Sequence, residues 1–107
     1  MVDAVLFTPD ADDDIAEAYK WYEAREVGLG EEFLRCVEAC VLGICRHPEL
    51  YRIAIDDFRR ARVRRFPFDI FYEISANSIV IHYVFHTAQD AKKWRGRLRN
   101  RKKNKGM

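Results

Sequence analysis

Apolar residues return every third or fourth position in two early stretches of the chain, and every second position in most of the stretches that follow. In the first, Ala11, Ile15, Ala18, Tyr19 and Tyr22 form one stripe at helical spacing. Thr8 stands where a cap belongs, Pro9 suits the first helical position, and the acidic cluster Asp10, Asp12, Asp13 and Asp14 complements the positive helix end. Gly28 and Gly30 interrupt the pattern, which resumes with Phe33, Leu34, Val37, Val41 and Ile44 and closes before Pro48. Two helices joined by so short a turn predict an antiparallel hairpin.

The remaining stretches have the period of strands. "VDAVLFT" (2–8) is short and apolar enough for a first strand, while "YRIAID" (51–56), "ARVRRF" (61–66), "FDIFYEI" (68–74) and "SIVIHYVFH" (78–86) alternate, with "SANS" as a turn. Short connections make these neighbours antiparallel. Asp90 caps a last short helix, "DAKKWRGRL", with Trp94 and Leu98 on its inner side; Gly96 weakens it by about 1 kcal/mol. The expected fold class is therefore α+β: an N-terminal strand, an antiparallel helical hairpin packed on one face of an antiparallel β-meander, and a short C-terminal helix. Residues 1–98 form the one domain, and 99–107 are expected to be a basic, disordered tail.

Alternation also sorts the side chains by face. Val63, Phe68, Ile70, Tyr72, Ile74, Ile79, Ile81, Tyr83 and Phe85 are expected toward the helices. Arg62, Arg64, Asp69, Phe71, Glu73, His82, Val84 and His86 are expected on an open, polar second face. Along a strand His82 and His86 stand about 13 Å apart, too far to share one metal ion. His86, an imidazole at a strand end, is the candidate general acid or base, the side-chain type suited to proton transfer near neutral pH.

Charge changes this picture. Residues 1–51 carry a net −8 and residues 52–107 a net +10, and from Lys92 onward nine basic residues meet no acidic one. Such polarity suggests a basic surface for an acidic partner, or, at the very end, a solvated tail. "FRRARVRR" (58–65) holds five arginines in eight residues, a set able to clamp phosphates. Asp69 and Glu73 lie on the same expected face, one strand over, so the arginines have acidic partners at hand. Three cysteines clustered in the second helix, Cys36, Cys40 and Cys45, read as reduced core residues, with no second half of a zinc site. No apolar run approaches the roughly 18 residues of a membrane span, and the acidic N-terminus is unlike a signal peptide, so a cytoplasmic protein is expected.

The order "A..DIAEAYKWYE…GLGEEFLRCVE…HPELY", then "RRFPFDIFYEI", then "IVIHYVFHTAQDAKKWRGR" resembles the ParE/RelE superfamily of small bacterial toxins, nearer ParE than RelE, over roughly residues 3–97. The most specific pieces are Phe66-Pro67-Phe68 with Tyr72 after it, and the segment from His86 to Trp94. The resemblance implies a fold like the one above and the toxin half of a type II toxin–antitoxin pair, wrapped by a flexible antitoxin segment. ParE-like members are associated with poisoning DNA gyrase, and RelE-like members with cutting messenger RNA in the ribosome. Asp69 stands where RelE-type ribonucleases have an arginine, and Gln89 where relatives often show one, which puts the ParE-like reading ahead.

On that reading the expected target contacts are Arg62, Arg64, His86, Gln89, Trp94 and Arg95, and the antitoxin meets the exposed side of the hairpin at Trp21 and Arg25. No cofactor, metal or membrane is implied. The alternative is a ribosome-dependent endoribonuclease using His86, Arg62 and Arg64; a third reading is a non-toxic module whose partner is the antitoxin alone.

Overall fold

Thr8 opens the first helix as its position predicts. Its hydroxyl accepts the Ala11 amide at 3.1 Å, Pro9 follows, and Asp10 and Asp12 lie in the first turn. The same hydroxyl donates to the His82 carbonyl at 2.9 Å, which ties the start of the helix to a distant strand. The computed structural model describes residues 2–88 together with Gly96. Apart from Gly96, the expected C-terminal helix and basic tail lie outside the described residues, as do Gln89, Trp94 and Arg95.

The described elements are β1 (Ala4–Phe7), α1 (Pro9–Arg25), α2 (Leu29–Arg46), β2 (Ile53–Ile55), β3 (Phe58–Arg62), β4 (Phe68–Ser75) and β5 (Ser78–His86). The sheet runs β1-β5-β4-β3-β2, with β2 to β5 an antiparallel meander as expected and β1 added parallel to β5. The helical hairpin covers one face of this mixed sheet. None of the described helices is long and apolar enough to cross a membrane.

Gly28 begins α2 at φ +92° and has no side chain to cap with, so the cap comes from the other helix. The Glu23 carboxylate accepts the amides of Gly28 and Gly30 at 3.0 Å, and an anion belongs at a helix N-terminus. Phe33, Val37, Val41 and Ile44 from α2 and Ala11, Ala18 and Tyr22 from α1 are buried against Val63, Ile70, Tyr72, Ile79 and Ile81. Tyr22, Phe33, Phe66 and Phe68 meet ring to ring at its centre, with centroids 4.9–6.1 Å apart. Ile74, expected with them, lies 37% exposed near the end of its strand.

The expected sorting of faces fails in the second half of β5. Phe71 pairs with Tyr83 but Tyr72 pairs with Ile81, so His82 and Tyr83 stand against a single residue in a β-bulge. The extra residue reverses the alternation. Val84 joins the helix-side core, while Tyr83 and Phe85 pack on the other face with Phe58 and Phe71. The second face is thus neither open nor mainly polar: these four rings are buried, and His82 with them, its Nε2 2.8 Å from Glu73 Oε1.

The strand "ARVRRF" is also displaced. It begins at Phe58, ends at Arg62, and gives way to a turn in which Arg65 has φ +70°. Ala76 also has a positive φ, +55°, in the two-residue turn between Ser75 and Ser78. A non-glycine residue there costs about 1–2 kcal/mol, and glycine would lose about 0.5–1 kcal/mol more entropy than alanine on folding. Ala76→Gly should therefore stabilise the chain by about 0.5–1 kcal/mol and raise the melting temperature by about 3–6 °C in a circular dichroism melt. A lower melting temperature would mean that the Ala76 methyl packs usefully in the turn.

Candidate functional site

β1 ends opposite Ile81, so among the described residues no strand lies beside the outer edge of β5 from His82 onward. Backbone groups cannot be left without partners there, and α1 and its cap supply them. The Thr8 amide donates to the Ile81 carbonyl at 3.0 Å and the Thr8 hydroxyl to His82. One turn further on, Asp14 Oδ2 accepts the Val84 amide at 3.0 Å. Past that last bond the helix and the strand enclose a cleft of about 280 Å³.

One wall is α1, through Asp14, Glu17, Ala18, Trp21 and Tyr22; the other is sheet, through Phe68, Val84, Phe85 and His86. Trp21 is 53% exposed, its ring set edge-on to Tyr22 at 5.0 Å. The Arg25 guanidinium lies over the Trp21 ring, 3.9 Å from the centroid, in a cation–π contact. His86 stands edge-on to Phe68 at 5.1 Å, and its Nδ1 accepts the Ala88 amide at 3.0 Å, which leaves Nε2 as the ring's donor.

Of the residues singled out from sequence, the cleft therefore brings together Trp21 and His86, which had been expected on different surfaces. It separates His86 from the arginines. Arg62 lies exposed on the far face of the sheet, where its Nε donates to Asp69 Oδ1 at 2.7 Å, with Arg60 Nε 4.0 Å from the other carboxylate oxygen. This is the cross-strand pairing the sequence suggested for Arg62 and Asp69, and β4 places the two directly opposite. Arg64 is exposed in the connection between β3 and β4 rather than in a strand.

Asp14, Glu17, Tyr22 and Phe68 were not foreseen as site residues. A signal existed: two acidic residues three apart on α1, followed one turn later by an exposed tryptophan. Among the described residues no three histidine, cysteine or acidic side chains converge as metal ligands would. The cysteines form no disulfide, and burial pushes the Cys40 thiol up to about 11, far from the range of a reactive thiolate.

The family described as the ParE toxin of type II toxin-antitoxin systems, parDE, matches residues 5–91. No protein of curated function matches the chain. Among solved structures it is similar to a chain of the chromosomal ParDE toxin–antitoxin system from P. aeruginosa, at a TM-score of 0.58 and 17% identity over 80% of this chain and 96% of that one. At that identity the likeness speaks for the fold, the two helices on a mixed sheet described above. The family match begins inside β1, continues past the end of β5 and bears out the resemblance drawn from the sequence; the chain belongs to the ParE toxin family of type II toxin–antitoxin systems.

Proposed function

We propose that the chain is a toxin that silences DNA gyrase by binding it, without bond chemistry of its own, and that an antitoxin holds it inactive. The observation that supports a function without bond chemistry is the bulge at His82. It puts His86 on the helix side of the sheet, beside the carboxylates of Asp14 and Glu17, while Arg62 lies on the opposite face and is engaged by Asp69. An RNA-cutting site would need the acid–base group and the phosphate clamps around one scissile bond. Here they lie on two sides of a sheet, and the histidine lies where phosphate is repelled.

Arg62 and Arg64, with Gln89, Trp94 and Arg95, are the proposed target contacts, drawn from the basic half of the chain. His86 goes with Trp21 and Arg25 to the surface proposed for the antitoxin. The test is a pulse-label of DNA and protein synthesis in one bacterial culture just after induction. DNA synthesis should fall first with translation intact, and His86→Ala should leave that order and its extent unchanged within about twofold. Early loss of translation, abolished by His86→Ala, would overturn the proposal in favour of a ribosome-dependent ribonuclease. No effect on growth would leave a module that binds only its antitoxin.

A further inference from the structure

The cleft between α1 and the outer edge of β5 has a chemistry unlike that of the basic half of the chain. Asp14 and Glu17 stand three residues apart on one side of α1; Tyr22 and Phe68 help form an apolar floor; the half-exposed Trp21 ring and His86 also line it. We infer that this cleft receives an arginine or lysine side chain, carried beside an aliphatic residue on a polypeptide segment of the partner protein. The inference rests on the reading that a protein partner holds this chain, and it adds what that partner must present here.

Three physical features select this occupant. Small-molecule sites commonly measure about 300–1,000 Å³, so a cleft of about 280 Å³ suits one long side chain and a neighbour better than a nucleotide. The carboxylates of Asp14 and Glu17 attract a cation and repel phosphate, which disfavours nucleic acid. Asp14 is already tied to the Val84 amide through Oδ2, so the exposed Glu17 is the carboxylate able to swing onto an incoming cation. The aromatic component is equally telling. Arg25 already covers the Trp21 ring at 3.9 Å, so an incoming cation goes to the carboxylates, while the alkyl stem of an arginine or lysine would lie against Phe68 and Tyr22.

The test is a selection from a phage library of random linear peptides against the full-length chain, followed by fluorescence anisotropy of the winning peptide. Peptides bearing Arg or Lys within one helical turn of Leu, Ile or Val should be enriched. The winner should bind the Glu17→Lys and Trp21→Ala chains at least about tenfold more weakly, and its affinity should fall as salt is raised. Both positions are exposed, so circular dichroism should show both variants folded, and Arg52→Glu, exposed beside β2 at the opposite edge of the sheet, should bind the winner normally. Enrichment of acidic peptides, no enrichment at all, or winners indifferent to Glu17→Lys would each overturn the inference. Nucleic acid that competes with the winner at the cleft would overturn it as well. The DNA-synthesis experiment uses the chain without any partner, so the two readings fail separately.

Discussion

Phe33→Ala should cost about 3–5 kcal/mol of stability, the range for deleting a fully enclosed aromatic ring. The ring has no exposed surface and stands within 5.1–5.4 Å, centroid to centroid, of Tyr22, Phe66 and Phe68. These neighbours come from α1, the turn before β4, and β4 itself, so no single element can shift to fill the hole. Part of the loss is transfer of the ring to water and part is the cavity. Domains of this size are commonly stable by about 5–15 kcal/mol, so the variant should sit close to its unfolding threshold. In urea, where small domains lose about 1–3 kcal/mol per molar, the midpoint should fall by roughly 2 M. Phe7→Ala is the control: Phe7 is 39% exposed on the edge strand, and its loss should cost well under half as much. Equal losses at the two positions would mean that the aromatic hub is no more than one patch of apolar surface among others.

The contrast between the two helices and the last strand shows what the sequence makes legible. α1 was readable because each signal is local: a capping Thr8, a proline at the first position, and a stripe at a single period. The start of α2 was only half readable. Gly28 and Gly30 marked the break, but the cap is the Glu23 carboxylate reaching back from the preceding helix, a contact that spacing does not announce. β5 was readable as a strand and misleading about its faces. Ile79 to Phe85 is apolar on both phases, interrupted only by His82, so a bulge leaves no break in the pattern. Everything after the bulge was consequently assigned to the wrong side, including His86. That error hid the cleft, because the cleft exists only where Val84 and His86 turn toward α1. The pairing of Arg62 with Asp69 survived because it lies before the bulge, in the undisturbed pairing of β3 with β4.

Glu73→Ala should cost about 2–3 kcal/mol, for the same local reason. The Glu73 and His82 side chains are 14% and 4% exposed, with His82 Nε2 2.8 Å from Glu73 Oε1. His82 is the extra residue of the bulge, so this contact holds the polar side chain that the bulge turns into the aromatic cluster of Phe58, Phe71, Tyr83 and Phe85. Removing the carboxylate takes a charged neighbour from a buried imidazole, and a buried polar group that loses a partner costs more than the contact itself was worth. The double change Glu73→Leu with His82→Leu removes both polar partners and should recover most of the loss, since neither then needs a partner. The local consequence is measurable by hydrogen exchange. A loosened bulge should weaken the hold on the next turn of strand, so the Val84 amide, bonded to Asp14, should exchange at least about tenfold faster in Glu73→Ala. Unchanged Val84 exchange with a large loss of stability would place the whole effect in the aromatic cluster. A double variant as unstable as the single one would mean that His82 contributes by its shape, and that the bulge is held by packing instead of by the contact with Glu73.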